Sequence, residues 1–316
     1  MLPRPHAEQV ESRGVLRSVA AWEVWSHPVW WVECFIVGNI AFLAVDIALA
    51  HSVNAFRHRA EWIPIVFSLA AAPLLVLAMA IGGAWPALPG REEPGSRGRR
   101  QRLTRRIGLA IGWGSVLVGV AGLLWHLHAD FFQQQTLKSL VYTTPFAAPL
   151  AYTGLGLLLI LDRSVDARTI EWGQWIVLLA AGGFVGNFVL SLADHAQNGF
   201  FEPSEWVGVI AAAFAIGFLA ATLVVVGDRP LRALCAAVMA IQVVVGLVGF
   251  ALHGRGNLAR PADSVWERFV YGAPIFAPLL FADLAVLAVL GLWAQDRALA
   301  SPGSPCRGDA QALAPP

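Results

Sequence analysis

The chain offers very little soft-metal or disulfide chemistry. Its three cysteines, Cys34, Cys235 and Cys306, lie far apart, with no C-x-x-C and no C-x-x-C-H. That excludes covalent c-type haem attachment and a thiolate zinc site. Three methionines are too few for a Met-lined copper relay. There is no P-loop, no G-x-S-x-G, no H-E-x-x-H and no dinucleotide fingerprint, so the common soluble-enzyme chemistries have no foothold. Charge is also scarce, at 14% of residues against 57% apolar, too little to cover the surface of a water-soluble protein of this size.

What is present instead is a series of apolar blocks, each long enough to cross a hydrocarbon core of about 30 Å, which takes about 20 residues. Eight are expected, over 30–50, 63–83, 107–127, 142–161, 174–194, 207–226, 233–253 and 270–293. Most of the 13 Trp stand near block ends, as an interfacial belt would place them. The first block starts too late and runs too long for a signal peptide, so it reads as an uncleaved helix. The fold class is all-α integral membrane, and the lipid bilayer is the one partner that composition demands.

Sixteen of the 22 Lys and Arg fall in the N-terminus, every second loop and the C-terminus. By the positive-inside rule both termini are cytoplasmic, in the inner membrane of a bacterium. The stretch "REEPGSRGRRQRLTRR" alone holds seven Arg. Beside a membrane helix it reads as a topology anchor or anionic-lipid contact, and no nucleic-acid partner is expected.

The chain repeats itself. "HSVNAF" at 51–56 returns as "HAQNGF" at 195–200, each followed at the same distance by Glu-Trp, as Glu61-Trp62 and Glu205-Trp206. "GVAGLLWH" at 119–126 matches "GLVGFALH" at 246–253, and "VYTTPFAAPLAY" at 141–152 matches "VYGAPIFAPLLF" at 270–281. Helices 1–4 are therefore expected to recur as 5–8, in two tandem four-helix bundles related as parallel repeats. The expected organisation is a cytoplasmic segment 1–28, a first repeat 29–163 with an Arg-rich loop at 85–106, a second repeat 164–297, and a disordered tail 298–316. Pro149 and Pro278 are expected to bend helices 4 and 8 and to free a carbonyl.

The repeat puts four histidines at equivalent stations: His51 and His195 ending helices 1 and 5, His126 and His253 ending helices 3 and 7. In an up-down-up-down bundle each pair faces across a diagonal at the outer end. Two opposed imidazoles suit a b-type haem, and imidazole also suits a transition metal. Asp46 and Asp194 could orient an imidazole, and Asn54 and Asn198 share its face if the helix continues. Tyr142 and Tyr271 start the returning helices. Asn39, Asn187 and the mid-helix carboxylate Asp283 are polar groups in hydrocarbon that need partners. His6, His27, His58 and His128 lack a repeat counterpart and read as solvent or interface residues.

Eight helices in two halves, with a histidine pair per half near the outer surface, resemble the layout of the haem A synthase family. The likeness is one of layout. That family's E-x-x-H motif is absent, since Glu33, Glu61, Glu171 and Glu205 have no His three residues on. Its histidines also come from even-numbered helices, so no catalytic residue carries over. The two repeated motifs are expected to mark a bacterial multi-pass membrane family of their own. Three function classes stand open: a His-ligated haem or metal protein with one site per half, a transporter or channel through Asp283, Asn39 and Asn187, and a structural or assembly subunit of a membrane complex.

Overall fold

The computed structural model describes residues 27–82, 96–129, 131–142 and 145–300. The N-terminal segment before 27, part of the Arg-rich stretch (83–95) and the tail from 301 with Cys306 lie outside the described residues. All regular structure among the described residues is helical: α1 Pro28–Ser52, α2 Trp62–Gly82, α3 Ser96–Ala129, α4 Phe131–Gln134, α5 Leu137–Tyr142, α6 Leu150–Ser164, α7 Ile170–Gln197, α8 Glu205–Val224, α9 Arg229–Ala259, α10 Val265–Val270 and α11 Leu279–Ala300.

Seven of these are long and apolar enough to cross a membrane: α1, α2, α3, α7, α8, α9 and α11. The protein is a polytopic membrane protein. The block expected at 142–161 behaves differently. Its helix α6 has 15 residues, about 22 Å at 1.5 Å per residue, which is short of a hydrocarbon core. Proline is the cause. Pro149 has no N–H to extend a helix backwards, so the chain runs through tight turns at 146–149 and α6 starts only at Leu150. The block expected from 270 starts at Leu279, one residue past Pro278, for the same reason. These prolines set helix starts; they do not bend running helices. The Arg-rich loop expected to end at 106 is helical from Ser96, because arginine is a good helix former and no proline follows Pro94 there.

The long helices close two rings. In one, α1 packs on α2, α2 on α3, α3 on α6 and α6 on α1; in the other, α7 packs on α8, α8 on α9, α9 on α11 and α11 on α7. Four contacts join the rings: α6 with α7, α11 with α1, α5 with α7 and α10 with α1. All eight helices of the two rings contribute to the buried core, with Val32, Ile36, Leu75, Leu158, Trp172, Leu219 and Ala288 among its members. The outer helices turn apolar side chains outward, as at Leu69, Leu117 and Phe214. That inversion suits lipid, where burial of apolar groups is no driving force.

Helix α1 begins on His27, whose Nδ1 accepts the Val29 N–H at 3.3 Å. Burial, with Arg297 and Arg168 nearby, pushes this imidazole down to about 4, and only the neutral ring can accept. Because the folded value lies below the ordinary 6.5, the unfolded chain binds the proton more readily. The cap's contribution is complete above 6.5 and is lost as pH falls from there toward 4. Thermal melts in detergent should therefore drop over that window. His27→Asn, which keeps a capping side chain, should flatten the drop; an unchanged profile would remove His27 from the account.

Candidate functional site

The repeated H-x-x-N-x-F-x4-E-W letters build one device twice. After α1, the Asn54 amide donates to Glu61 Oε1 at 3.1 Å, and its own carbonyl accepts the Phe56 N–H at 3.2 Å. Phe56 sits in the left-handed region at φ 54° and stacks on Trp62 with ring centres 4.4 Å apart. After α7, Asn198 donates to Glu205 Oε1 at 3.2 Å and accepts from Phe200 N at 3.1 Å. Phe200 has φ 53° and lies 3.9 Å from Trp206. Asn, Phe, Glu and Trp therefore end one helix and tie it to the next. Asn54 and Asn198 do not share a helix face with the histidines, because α1 and α7 stop at Ser52 and Gln197. Sequence reasoning does not single out Glu61 and Glu205 as functional residues; their fixed offset from the histidine is the signal that could find them.

The second repeated pattern explains His126 and His253. A proline cannot donate to the carbonyl four residues back, so the carbonyls of Pro145 and Pro274 accept only a long turn bond of 3.3 Å, from the Ala148 and Ala277 N–H, and keep room for a second donor. His126 Nδ1 donates to the Pro145 carbonyl at 2.9 Å, and His253 Nδ1 to the Pro274 carbonyl at 2.9 Å. The G-x-x-G step upstream lets the helices approach: a Cβ on Gly122 would meet the Pro149 ring at 2.8 Å, and one on Gly249 the Pro278 ring at 2.8 Å. With Nδ1–H committed to a carbonyl, a neutral ring carries its lone pair on Nε2. This is the usual way a protein orients an imidazole ligand.

The structure brings His51 and His126 together. Their ring centres are 6.4 Å apart and the ring planes are inclined by 82°. Glu61 and His126 both act electrostatically on His51, whose Nδ1 is buried without a hydrogen-bond partner. In the other half, His195 Nδ1 is drawn to Glu205 Oε2 at 3.5 Å. Among the described ring contacts, no His195–His253 pair occurs; His253 stays within electrostatic reach of His195 and Asp194. Asp46 lies instead near the Tyr152 hydroxyl, which is bonded to Ser68 Oγ at 2.6 Å and Pro64 O at 2.9 Å. Tyr142 and Tyr271 close the short helices α5 and α10 rather than opening spans, and both are exposed.

Away from the histidines, Asn39 of α1 donates to Asp283 Oδ1 of α11 at 2.9 Å, so this carboxylate joins the two rings; because α11 starts only at Leu279, Asp283 stands near its beginning and not at the expected mid-helix position. Asn187 is buried with its Nδ2 unpartnered. At the opposite ends of α1 and α6, Arg163 Nη1 donates to Glu33 and to Asp162 Oδ2, the latter at 2.7 Å, and all three side chains are buried. Sequence reading singled out neither Asp162 nor Arg163, because both stand at the polar edge of an apolar block.

No protein-family model matches the chain, and neither a curated protein nor a solved structure matches it. Functional argument therefore rests on geometry. Two imidazoles binding one ion from opposite sides, at about 2.0–2.1 Å each, have ring centres roughly 6 Å apart. The 6.4 Å separation of His51 and His126 fits that spacing. Among the described residues no group of three His, Cys, Asp or Glu is arranged to hold a metal ion. A free ion asks for three or four such ligands, whereas a haem asks the protein for axial ligands alone.

Proposed function

We propose that this is a haem-binding protein of a bacterial inner membrane with a redox or cofactor-handling role, in which His51 and His126 are the axial ligands. The carrying observation is the close His51–His126 pair, with ring centres 6.4 Å apart and Nδ1 of His126 committed to Pro145. A two-ligand site favours a b-type haem over a bare transition metal. His195 and His253 are the corresponding station of the second half, where Glu205 holds His195.

The same proposal takes the chain as two parallel repeats, with α6 and its prolyl turn making an eighth crossing. Support comes from the joints between the rings: α6 meets α7 as α11 meets α1, and α5 meets α7 as α10 meets α1. A twofold axis along the membrane normal exchanges these pairs. Both termini are placed in the cytoplasm and the histidines outside, by the arginine distribution. Phe201 is 81% exposed beside the second loop. Cysteine there should react with an impermeant maleimide on intact cells, and cysteine at Ser96 should not. Reversed labelling would move the histidines to the cytoplasmic face.

Haem binding is tested by an absorption spectrum and iron analysis of detergent-purified protein, before and after titration with haem b. A saturable Soret shift is expected. A featureless titration with no iron would end the proposal.

One further observation favours a different reading. The Asn39–Asp283 bond across the rings and the unpartnered amide of Asn187 are polar groups on helices long and apolar enough to span, and such groups are costly in hydrocarbon unless used. Transport through that layer would be read as flux in proteoliposomes, lost in Asp283→Asn.

A further inference from the structure

Helix α3 changes character along one face. It is 34 residues long, about 50 Å at 1.5 Å per residue, which exceeds a hydrocarbon core and its headgroup layers together. Part of it must therefore stand among headgroups. Successive residues turn by about 100°, so Arg99, Arg102 and Arg106 fall within a sector of about 60°. Continued down the helix, that sector carries Trp113, Leu117 and Leu124. These three are 57%, 69% and 52% exposed, far more than a bundle interior would allow, so this is the lipid-facing stripe. The three arginines above it are exposed as well. No Asp or Glu occurs anywhere in α3.

We infer that this stripe is a binding site for an anionic phospholipid. The acyl chains lie along Trp113, Leu117 and Leu124, and Arg99 and Arg106 hold the headgroup phosphate. Arg106 lies about 10 Å along the axis from Trp113, so a phosphate bound there still leaves the first chain carbons against the indole. Guanidinium suits a phosphodiester because its donors are fixed in a plane and can bind two oxygens at once. The site is independent of the histidine pairs and of which membrane face the arginines occupy.

Each arginine near an anionic surface strengthens attachment by a factor of about five, so neutralising two should weaken it about 25-fold. The full chain, delipidated in a neutral detergent, is titrated with phosphatidylglycerol and with phosphatidylcholine of matched chains, and bound lipid is counted by native mass spectrometry. Wild type should prefer phosphatidylglycerol. R99Q/R106Q should lose that preference by about 25-fold, while R99K/R106K should keep most of it. R229Q, an exposed charge on α9 away from the stripe, should behave as wild type. No preference in wild type, an undiminished preference in R99Q/R106Q, or equal loss in R229Q would each overturn the site. Displacement of the lipid by millimolar inorganic phosphate would also overturn it, since the pocket would then serve a free anion without its chains.

Discussion

His126→Ala should abolish the Soret shift produced by haem b, and His51→Ala should do the same, while His253→Ala leaves it in place. The two first-half variants remove opposite members of one pair, whose ring centres lie 6.4 Å apart. Haem held by a single remaining imidazole would have a different spin state and far weaker attachment. Glu61→Gln serves as the discriminating control. It keeps a group able to accept from Asn54 while removing the charge beside His51. The expected result is retained binding with a shifted reduction potential, since nearby charge tunes the iron. A purely structural role for the histidines predicts the opposite pattern: no Soret shift in any variant, and a lower melting temperature in His126→Ala because the Pro145 carbonyl loses the shorter of its two hydrogen bonds. Equal loss in all three histidine variants would mean general unfolding, and circular dichroism melts on the same samples would reveal it.

Arg163→Met should destabilise the protein by about 3–5 kcal/mol, the usual cost of leaving buried charges uncompensated. Glu33 and Asp162 both receive a hydrogen bond from Arg163 Nη1, and all three residues are at most 5% exposed. Methionine keeps much of the side-chain volume, so lost packing contributes little. What remains is two carboxyl groups in low dielectric without their shared cation. Restoring neutrality should rescue the fold: in Glu33→Gln/Asp162→Asn/Arg163→Met most of the loss should be recovered, since replacing a whole buried ionic group is often near neutral. Thermal unfolding in detergent, followed by circular dichroism, reads both variants. If Arg163→Met melts like wild type, the three groups are not an isolated buried cluster in solution.

Much of the architecture was legible in the chain itself. A helix in lipid must satisfy every backbone group within its own segment, so length and apolarity alone locate it. Seven of the eight expected blocks accordingly overlap a helix long enough to span. In the remaining block the helix starts later than hydropathy suggests, because hydropathy counts residues regardless of backbone N–H. Pro149 supplies apolar character but no donor, and α6 begins after it. The repeated motifs were equally visible as letters, with their histidines, asparagines and glutamates at fixed offsets.

What those letters hold was decided only in three dimensions. Asn54 reaches Glu61 because the chain reverses through Phe56, a path that helical periodicity does not describe. His126 meets Pro145 because glycines let two helix backbones close on each other. Asp283 finds Asn39 across 244 residues of chain, and Arg163 finds Glu33 across 130. Local sequence specifies hydrogen bonds that close within one helix. A bond between helices depends on their rotation, spacing and starting residue together, and those are fixed only when the bundles pack.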